Sequence, residues 1–266
     1  MTARQWLMTR LPPGVSLRLR AYMAHYITEP ELSWALTKVH RGDLVVDVGS
    51  SFGVYTFWLA KRVGVRGSVV ALDPTEPCAR FLQTAVSQLG LTQVKVIQCG
   101  ASDSATTREL HIPIEGNHER MTRATFRRVS GVAEVVKVVV RPLDDLLSTR
   151  DRPVSFIKCD VEGHELAVLR GTRAILAADR PTLLVECEQR HLDYDMRDTF
   201  NYLYDLGYEG WFLDGLGSTR SLREFSQAVH QIPYLDDTTS ANYVNNFLFL
   251  HPHRSLVAAS WSTSGH

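Results

Sequence analysis

The chain has 266 residues, of which 44% are hydrophobic. This length and composition predict a globular protein and exclude a disordered chain. The 29 Lys and Arg residues balance 29 Asp and Glu residues, so the net charge gives no reason to expect nucleic acid or an anionic membrane as a partner.

Four cysteines are scattered along the chain without a CxxC pair, at Cys78, Cys99, Cys159 and Cys187. This spacing disfavours a disulfide framework or a structural zinc site, and it favours a reducing, cytoplasmic location. No apolar segment is long enough to span a bilayer, and the first 20 residues lack the apolar run of a signal peptide. We therefore expect a soluble protein that could form a homo-oligomer.

The first predicted element is a helical extension over residues 1–40. After it, the sequence predicts a strand at 44–48, a helix at 54–62, a strand at 68–73, a helix at 78–89 and a strand at 93–99. Short apolar strands that alternate with helices indicate right-handed crossovers and a parallel sheet.

The pattern changes over residues 104–143, where two strand-like runs, 109–114 and 134–141, flank a polar loop. We interpret this segment as an antiparallel β insertion near the strand ends. The alternation then resumes with a strand at 154–160, a helix at 165–178, a strand at 182–187, a helix at 196–206 and a final antiparallel pair at 208–213 and 246–250. The sequence therefore predicts one α/β domain over residues 41–253 and a loose tail over 254–266.

A glycine turn follows the first strand, with the sequence Asp47-Val48-Gly49-Ser50-Ser51-Phe52-Gly53. A turn at this place in an open α/β sheet forms a ligand site. The GxGxxG spacing of dinucleotide sites is missing, and Asp47 would repel a diphosphate. A carboxylate there favours a cationic ligand such as S-adenosylmethionine. Gly49 would let the backbone approach the ligand, and Gly53 would let the helix pack closely.

Acidic residues also follow the second and third strands. Asp73 stands where a carboxylate accepts the ribose hydroxyls of a nucleoside. Asp103 is placed to accept the adenine amino group, and Ala101 or Ser102 could offer a backbone amide. Such residues are common in ordinary turns, but three acidic strand ends in succession favour a nucleoside site. The predicted cofactor-binding residues are Asp47, Gly49, Ser50, Phe52, Gly53, Tyr55, Thr56, Asp73, Pro74, Ala101, Ser102, Asp103 and Asp160.

Several segments resemble the FkbM family of methyltransferases. They are VVDVGSSFGVYTFWLA (45–60), VVALDP (69–74), RPLDDLL (141–147), FIKCDVEGHELAVLRGTRAIL (156–176) and RPTLLVECE (180–188). The run from Ile157 to Glu165, followed by Val168 to Gly171, is the most diagnostic. The resemblance covers about residues 30–190.

This resemblance implies a class I methyltransferase (Rossmann-like) fold with a seven-stranded, mostly parallel sheet, helices on both faces and an antiparallel last strand. It also implies S-adenosylmethionine as the methyl donor and, as in many family members, O-methylation of a sugar or a hydroxylated natural product. The chain departs from the family at Ser50-Ser51, where Ala-Asn is usual, and at Asp73, where Glu is usual.

Methyl transfer to an alcohol requires a proton acceptor, and the predicted catalytic residues are Asp160, Glu162 and His164. Asp160 would hold the cofactor amine or orient the acceptor. Glu162 and His164 are the candidate bases, since a histidine has an ordinary pKa near neutrality. His164 could equally be a surface turn residue, and Glu162 could stabilise a helix start through the helix dipole. His191 could also face the site.

A divalent metal ion is an alternative that we do not favour. Its candidate ligands are Asp160, Glu186 and Glu188, whose carboxylates at neighbouring strand ends suit Mg²⁺ or Ca²⁺. In the insertion, the run of Arg120, Arg123, Arg127 and Arg128 beside His118 could bind an acidic acceptor, but we interpret it as a solvated charged surface.

The sequence therefore predicts an S-adenosylmethionine-dependent O-methyltransferase that acts on a hydroxyl of a small-molecule acceptor, either a sugar or a secondary metabolite. The acceptor pocket is expected from the insertion and the C-terminal region, including residues 243–246. The alternatives are transfer to nitrogen or a carboxylate, an NAD-dependent oxidoreductase, and a non-catalytic cofactor-binding module.

Overall fold

The computed structural model describes residues 10–115, 118–119, 123–127 and 131–253. The tail 254–266 lies outside this range, as do Arg120 and Arg128 and the side chain of His118 of the predicted basic run. Among the described residues, no helix combines the length and apolar character needed to cross a membrane.

Twelve strands are described. In chain order they are β1 (Leu44–Val48), β2 (Ser68–Asp73), β3 (Val94–Gln98), β4 (Gly100–Ala101), β5 (Thr106–Glu115), β6 (His118–Glu119), β7 (Ala133–Arg141), β8 (Val154–Cys159), β9 (Thr182–Glu186), β10 (Glu209–Leu213), β11 (Thr219–Ser221) and β12 (Asn246–Leu250). The central sheet has the order β11-β10-β12-β9-β8-β1-β2-β3.

The central sheet is parallel from β3 to β9, and β12 runs antiparallel to both β9 and β10. The predicted mostly parallel sheet with an antiparallel last strand is therefore confirmed. The sheet has eight described strands rather than seven, because β11 pairs with β10 at the edge. The sequence Thr219-Arg220-Ser221 has no apolar alternation, so no pattern indicated this strand.

Helices cover both faces of the sheet. They are α1 (Pro13–Met23), α2 (Pro30–Leu36), α3 (Val54–Val63), α4 (Glu76–Gln88), α5 (Leu143–Leu146), α6 (Glu165–Arg170), α7 (Arg173–Ala178), α8 (Arg197–Asp205) and α9 (Gln227–His230). A π-helical turn, Ala24–Thr28, joins α1 to α2, and short 3₁₀ turns lie at Gln189–His191, Leu222–Glu224 and Ile232–Tyr234. Proline opens α1 and α2, where its fixed φ and missing N–H cost nothing.

The strand β1 is buried along its whole length because its alternate side chains enter two different cores. Val46 and Val48 belong to an apolar cluster with Leu169 on one face, and Val45 belongs to a cluster with Phe57 on the other. An apolar strand without polar alternation is the pattern expected for the centre of a parallel sheet.

The prediction of a single helix over 165–178 was wrong, because the segment forms two helices, α6 and α7, separated at Gly171-Thr172. A Cβ on Gly171 would lie 1.9 Å from the backbone oxygen of Ser102. The break therefore lets the chain pack against the segment that follows β4, a contact that no local pattern encodes.

The described part of the N-terminal extension packs on the α/β domain. Leu17 and Ala21 share the apolar cluster of Phe57. The indole N–H of Trp58 donates to the carbonyl of Ala21 at 2.8 Å, and the amide of Gly14 donates to Oε1 of Gln88 at 2.8 Å. Helix α1 is thereby fixed against α3 and α4.

The insertion forms a second, four-stranded sheet with the order β4-β7-β5-β6. Its long strands β5 and β7 are antiparallel, which confirms the prediction for residues 104–143. Leu110, Val138 and Val140 form its small core, with Phe126 packed against them. This sheet stands beside the end of β3, so its inner residues can reach the carboxyl edge of the central sheet.

Candidate active site

A cavity of about 800 Å³ lies at the carboxyl ends of β1, β2, β8 and β9. In an open α/β sheet this is where ligands bind, because the chain connections diverge where the strand order reverses. Eleven of the predicted cofactor, catalytic and metal-site residues line it: Asp47, Gly49, Ser50, Phe52, Tyr55, Asp73, Pro74, Ala101, Asp160, Glu162 and Glu186.

The two glycines of the first turn serve two packing contacts. Gly49 has φ +78°, and a Cβ on it would lie 1.7 Å from the carbonyl oxygen of Asp160. Gly53 has φ +82°, and its Cβ would lie 2.3 Å from Leu82 Cδ1. Gly49 thus joins the loop after β1 to the end of β8, while Gly53 lies outside the cavity and brings the start of α3 onto α4.

Asp47 is buried at the end of β1. Its Oδ2 accepts a hydrogen bond from the hydroxyl of Thr56 at 2.5 Å. Burial raises the pKa of Asp47 to about 6, against the lowering effect of this hydrogen bond. Thr56 does not line the cavity itself. It acts through its hydrogen bond to the Asp47 carboxylate, which does.

Asp73 connects the end of β2 to the glycine loop. Its Oδ2 accepts the amide N–H of Ser51 at 2.9 Å, and its Oδ1 accepts the amide and hydroxyl of Thr75 at 2.9 and 2.6 Å. Burial raises the pKa of Asp73, although these hydrogen bonds oppose the shift. Oδ1 already accepts two bonds, but Oδ2 accepts only one and can accept another, so Asp73 retains capacity toward the cavity.

Ser50 and Ser51 both line the cavity, and the buried hydroxyl of Ser50 has no hydrogen-bond partner among the described residues. An unpaired buried hydroxyl costs about 1–3 kcal/mol. The loop is therefore chemically incomplete and fits a ligand that carries hydrogen-bonding groups.

After β3, the cavity wall consists of Cys99, Gly100 and Ala101. The amide of Ser102 donates instead to the carbonyl of Arg141 at 3.1 Å. Asp103 is exposed and accepts the Ser104 hydroxyl at 3.1 Å. The structure thus places Ser102 and Asp103 outside the cavity.

His164 lies outside the cavity as well. Its Nε2 is 3.0 Å from the hydroxyl of Ser102, and its ring centroid is 4.7 Å from that of Phe126. Burial, assisted by the charge of Arg108, lowers the pKa of His164 to about 4. At neutral pH it is an uncharged packing residue between β8 and the insertion.

Glu162 faces the cavity from the loop after β8. Its carboxylate contacts Nδ1 of His191, and the Thr125 hydroxyl donates to its backbone carbonyl at 2.6 Å. Burial raises the pKa of Glu162, and its hydrogen bond with His191 opposes the shift. Burial lowers the pKa of His191, but Glu162 outweighs burial and leaves it raised. The two side chains form a partly buried acid–imidazole pair whose acid reaches the cavity.

The predicted metal ligands divide between two groups, since Asp160 and Glu186 lie on either side of the Lys158 ammonium and Glu188 lies apart from them. Glu188 groups with Glu162 and His191, whose ligand atoms all lie within 4.8 Å of one another. However, the Glu188 carboxylate already accepts from Arg190 at 2.6 Å and from the hydroxyl of Tyr243. A guanidinium on this carboxylate competes with a cation, so the donor set suits hydrogen bonding better than metal binding.

The sequence reasoning missed Lys158, which is 1% exposed and lines the cavity. Its Nζ lies 3.5 Å from Oδ2 of Asp160 and 3.5 Å from Oε2 of Glu186, and it donates to Oδ1 of Asn246 at 3.1 Å. Burial opposes its charge, but the carboxylates of Asp160 and Glu186 outweigh burial and raise its pKa. A lone charged residue in a mainly apolar strand was the signal that could have found it.

Two segments at the chain ends also complete the cavity. The N-terminal one contributes Arg20, His25, Tyr26, Glu29, Pro30 and Glu31, and the C-terminal one contributes residues 238–241 together with Tyr243, Asn245 and Asn246. Burial raises the pKa of Glu29 to about 7. Only the 243–246 contribution was predicted, since the N-terminal residues carry no motif.

The arginines of the insertion that the structure describes, Arg123 and Arg127, do not line the cavity. Arg127 lies 3.9 Å from the carboxylate of Asp193 in a partly exposed pair. The inner wall of the insertion is apolar and consists of Leu110, Ala124 and Phe126.

The described strand order and the cavity at its carboxyl edge define a class I methyltransferase fold. The chain resembles the crystal structure of methyltransferase FkbM from Methylobacillus flagellatus KT, with a TM-score of 0.50 and 20% identity over 93% of this chain. The chain spans 58% of the length of that protein. A SAM-dependent methyltransferase from Aquifex aeolicus gives a TM-score of 0.48 and 16% identity, over 91% of this chain and 98% of that one.

The methyltransferase FkbM domain model matches residues 47–209. The chain therefore belongs to the FkbM methyltransferase family, as the resemblance predicted. No curated protein matches the chain.

Proposed function

We propose that this protein transfers a methyl group from S-adenosylmethionine to a hydroxyl of a small molecule, either a sugar or a secondary metabolite. The proposal rests on a cavity whose two ends differ chemically. One end holds the glycine loop and Asp73, and the other holds Lys158 and Glu186. A cavity of about 800 Å³ is in the range that holds ligands of this size.

The first end suits the cofactor. Gly49, Ser50, Ser51 and Asp73 would hold it, with Ala101 and its neighbours against the base. The Ser50 hydroxyl, which has no partner among the described residues, supports this assignment. When bound, the cofactor supplies a methyl group on a sulfonium, which is reactive toward an in-line nucleophile, so positioning of the acceptor contributes much of the rate.

Glu162 is the proton acceptor in this proposal. Its carboxylate lines the cavity, and its contact with His191 fixes the orientation. Because burial raises its pKa, the Glu162 carboxylate is a stronger base than an exposed one. Asp160 orients the acceptor or holds the cofactor amine. Neither role involves His164, which faces away from the cavity.

The acceptor end favours a hydroxylated molecule. Its lining combines carboxylates, the side-chain amides of Asn245 and Asn246, and the ring of Tyr243. These groups accept and donate hydrogen bonds at several points, as recognition of a polyol requires. We place the reaction in the cytoplasm, since the four cysteines are buried free thiols.

The test is turnover of labelled S-adenosylmethionine with methyl glycosides of glucose, galactose, rhamnose and fucose, together with a hydroxylated macrolide. Binding of the cofactor and of NAD is measured by calorimetry alongside. We expect S-adenosylmethionine to bind, NAD not to bind, and at least one acceptor to gain a base-stable O-methyl group. NAD binding without S-adenosylmethionine binding would reject the proposal, and a base-labile product would indicate a methyl ester.

A further inference from the structure

The buried ammonium of Lys158 connects three strands at the acceptor end of the cavity. Asp160 follows β8, Glu186 ends β9 and Asn246 begins β12, and each has a side-chain oxygen within 3.5 Å of Nζ. The aromatic ring of Tyr55 on α3 lies beneath the charge, with its centroid 5.1 Å away. No other lysine is fully buried among the described residues.

Fold stability alone does not explain this lysine. Phe156, two residues earlier and on the same face of β8, is fully buried in an apolar cluster, so an apolar side chain at 158 would extend that row. Burying an ammonium costs several kcal/mol, and buried ion pairs replaced by apolar residues often leave a protein as stable or more so. The three partners of Lys158 all line the cavity, which indicates a role in the site.

The place of this cluster in the sheet separates it from the cofactor end. Asp73 is on β2, and Glu186 on β9 is three strands further along the order β2-β1-β8-β9. With neighbouring strands about 4.8 Å apart, the two ends are about 14 Å from each other. That distance leaves room for an acceptor beside Glu186 while the glycine loop holds the cofactor.

Glu186 is fixed at both carboxylate oxygens. Its Oε2 faces Lys158 at 3.5 Å, and its Oε1 accepts the side-chain amide of Asn245 at 2.8 Å. Asn246 in turn donates to Oδ1 of Asn245 at 3.2 Å. The carboxylate is therefore oriented by a network, while 23% of its side chain stays exposed toward the cavity.

We propose that Lys158 is a positioning residue for methyl transfer, whose ammonium fixes the carboxylates of Asp160 and Glu186 so that together they bind the hydroxyls of the acceptor. This inference rests on the proposed function and extends it to the acceptor subsite. Lys158 acts through the two carboxylates, and removing its charge lets them separate.

The experiment compares Lys158→Met, which removes the charge at similar length, with Lys158→Arg, which keeps it. Lys95→Met is the matched control, because Lys95 lies exposed on β3 of the same sheet. The measurements are the melting temperature, the affinity for S-adenosylhomocysteine by calorimetry, and kcat and KM for an acceptor methylated by the wild type.

Lys158→Met is expected to lower kcat/KM for the acceptor by about tenfold or more, with S-adenosylhomocysteine affinity within about threefold of the wild type. Lys158→Arg should recover most of the loss, and Lys95→Met should behave as the wild type. In the double variant Lys158→Met/Glu186→Gln, the loss in kcat/KM should be smaller than the two single losses combined, because both changes disable the same Lys158–Glu186 pair.

Unchanged acceptor kinetics in Lys158→Met, or additive losses in the double variant, would overturn the inference. If Lys158→Met does not fold, Lys158→Gln replaces it, and failure of that variant to fold would show a structural role instead. A wild type that binds no S-adenosylhomocysteine would defeat the proposed function, whereas a working wild type with an equally fast Lys158→Met would defeat only this inference.

Discussion

Gly49 lies so close to Asp160 that a Cβ on the glycine would stand 1.7 Å from the backbone carbonyl oxygen of Asp160. The turn after β1 and the end of β8 are thus in direct backbone contact at the centre of the cavity. This contact joins the glycine loop, with Ser50 and Ser51, to the loop 160–162, so the two loops line the cavity as a single unit.

Replacement of Gly49 by alanine is predicted to destroy this unit. The methyl group must displace the Asp160 backbone, so we expect more than about 3 kcal/mol of lost stability and loss of S-adenosylmethionine binding. Gly42→Ala is the control, since Gly42 also has a positive φ of +88° but has nothing near its Cβ position. It should cost only about 1–2 kcal/mol from backbone strain. Equal losses in urea unfolding would contradict the contact.

Asp73→Ala is predicted to weaken S-adenosylmethionine binding by about tenfold or more, because it leaves the Ser51 amide and the ligand's hydroxyls without an acceptor. Asp103→Ala should leave the affinity within about twofold, since Asp103 lies outside the cavity. Calorimetry measures the S-adenosylmethionine affinity of both variants. A larger effect at Asp103 than at Asp73 would place the nucleoside elsewhere.

Glu162→Gln is predicted to lower kcat by about a hundredfold, because a side-chain amide cannot take up the proton of the hydroxyl that is methylated. Its affinity for S-adenosylhomocysteine should change by less than about threefold. Steady-state kinetics and calorimetry give the two numbers. A glutamine variant with normal kcat would remove Glu162 from the chemistry and leave the carboxylates of Asp160 and Glu186 to test.

His164 is predicted to make the fold sensitive to acid. Its folded pKa of about 4 lies below the ordinary value of 6.5, so the unfolded chain binds the extra proton between these pH values. The neutral form is fully stable above pH 6.5, and stability falls as the pH drops toward 4, by at most about 3 kcal/mol.

His164→Gln should therefore show a smaller loss of unfolding free energy between pH 6.5 and 4 than the wild type. The matched control is His40→Gln, whose parent side chain is 71% exposed. Urea unfolding at several pH values provides the comparison. Parallel pH curves for the wild type and His164→Gln would show that this histidine titrates normally.

Asp179 and Asp151 both pair with arginines near the start of β8. Replacing Asp179 by alanine is predicted to cost more stability than replacing Asp151. The Asp179 carboxylate accepts two bonds from Arg150, at 2.8 and 3.0 Å, and the Val154 amide at 2.9 Å. Asp179→Ala should cost about 3–5 kcal/mol, since it leaves a partly buried guanidinium unpaired. Asp151→Ala, which breaks an exposed pair with Arg152, should give no measurable change in thermal unfolding.

The central strands could be predicted to within a residue or two because they are continuous apolar runs. The bounds of β1, β2 and β12 match the sequence prediction. The break between α6 and α7 and the edge strand β11 could not be predicted. The first depends on packing against Ser102, and the second on pairing with β10.

The site was predictable where it is local and unpredictable where distant segments meet. Asp47 and Asp73 lie at the ends of β1 and β2, and Asp160 directly follows β8, so topology alone fixed their edge of the sheet. Asp103 follows a strand too, but the chain turns into the insertion there and carries its side chain outward. Glu29 reaches the cavity only because α1 packs on α3 and α4, a contact between segments that no spacing in the sequence reveals.

The cavity between the glycine loop and the Glu162 loop is predicted to bind S-adenosylmethionine. A crystal structure with S-adenosylhomocysteine would show where the nucleoside lies. We predict that the ribose lies against Asp73, the adenine against Ala101, and the sulfur toward Asp160 and Glu162. Electron density for the nucleoside at another place on the molecule, or a cavity closed by its own side chains, would contradict the account.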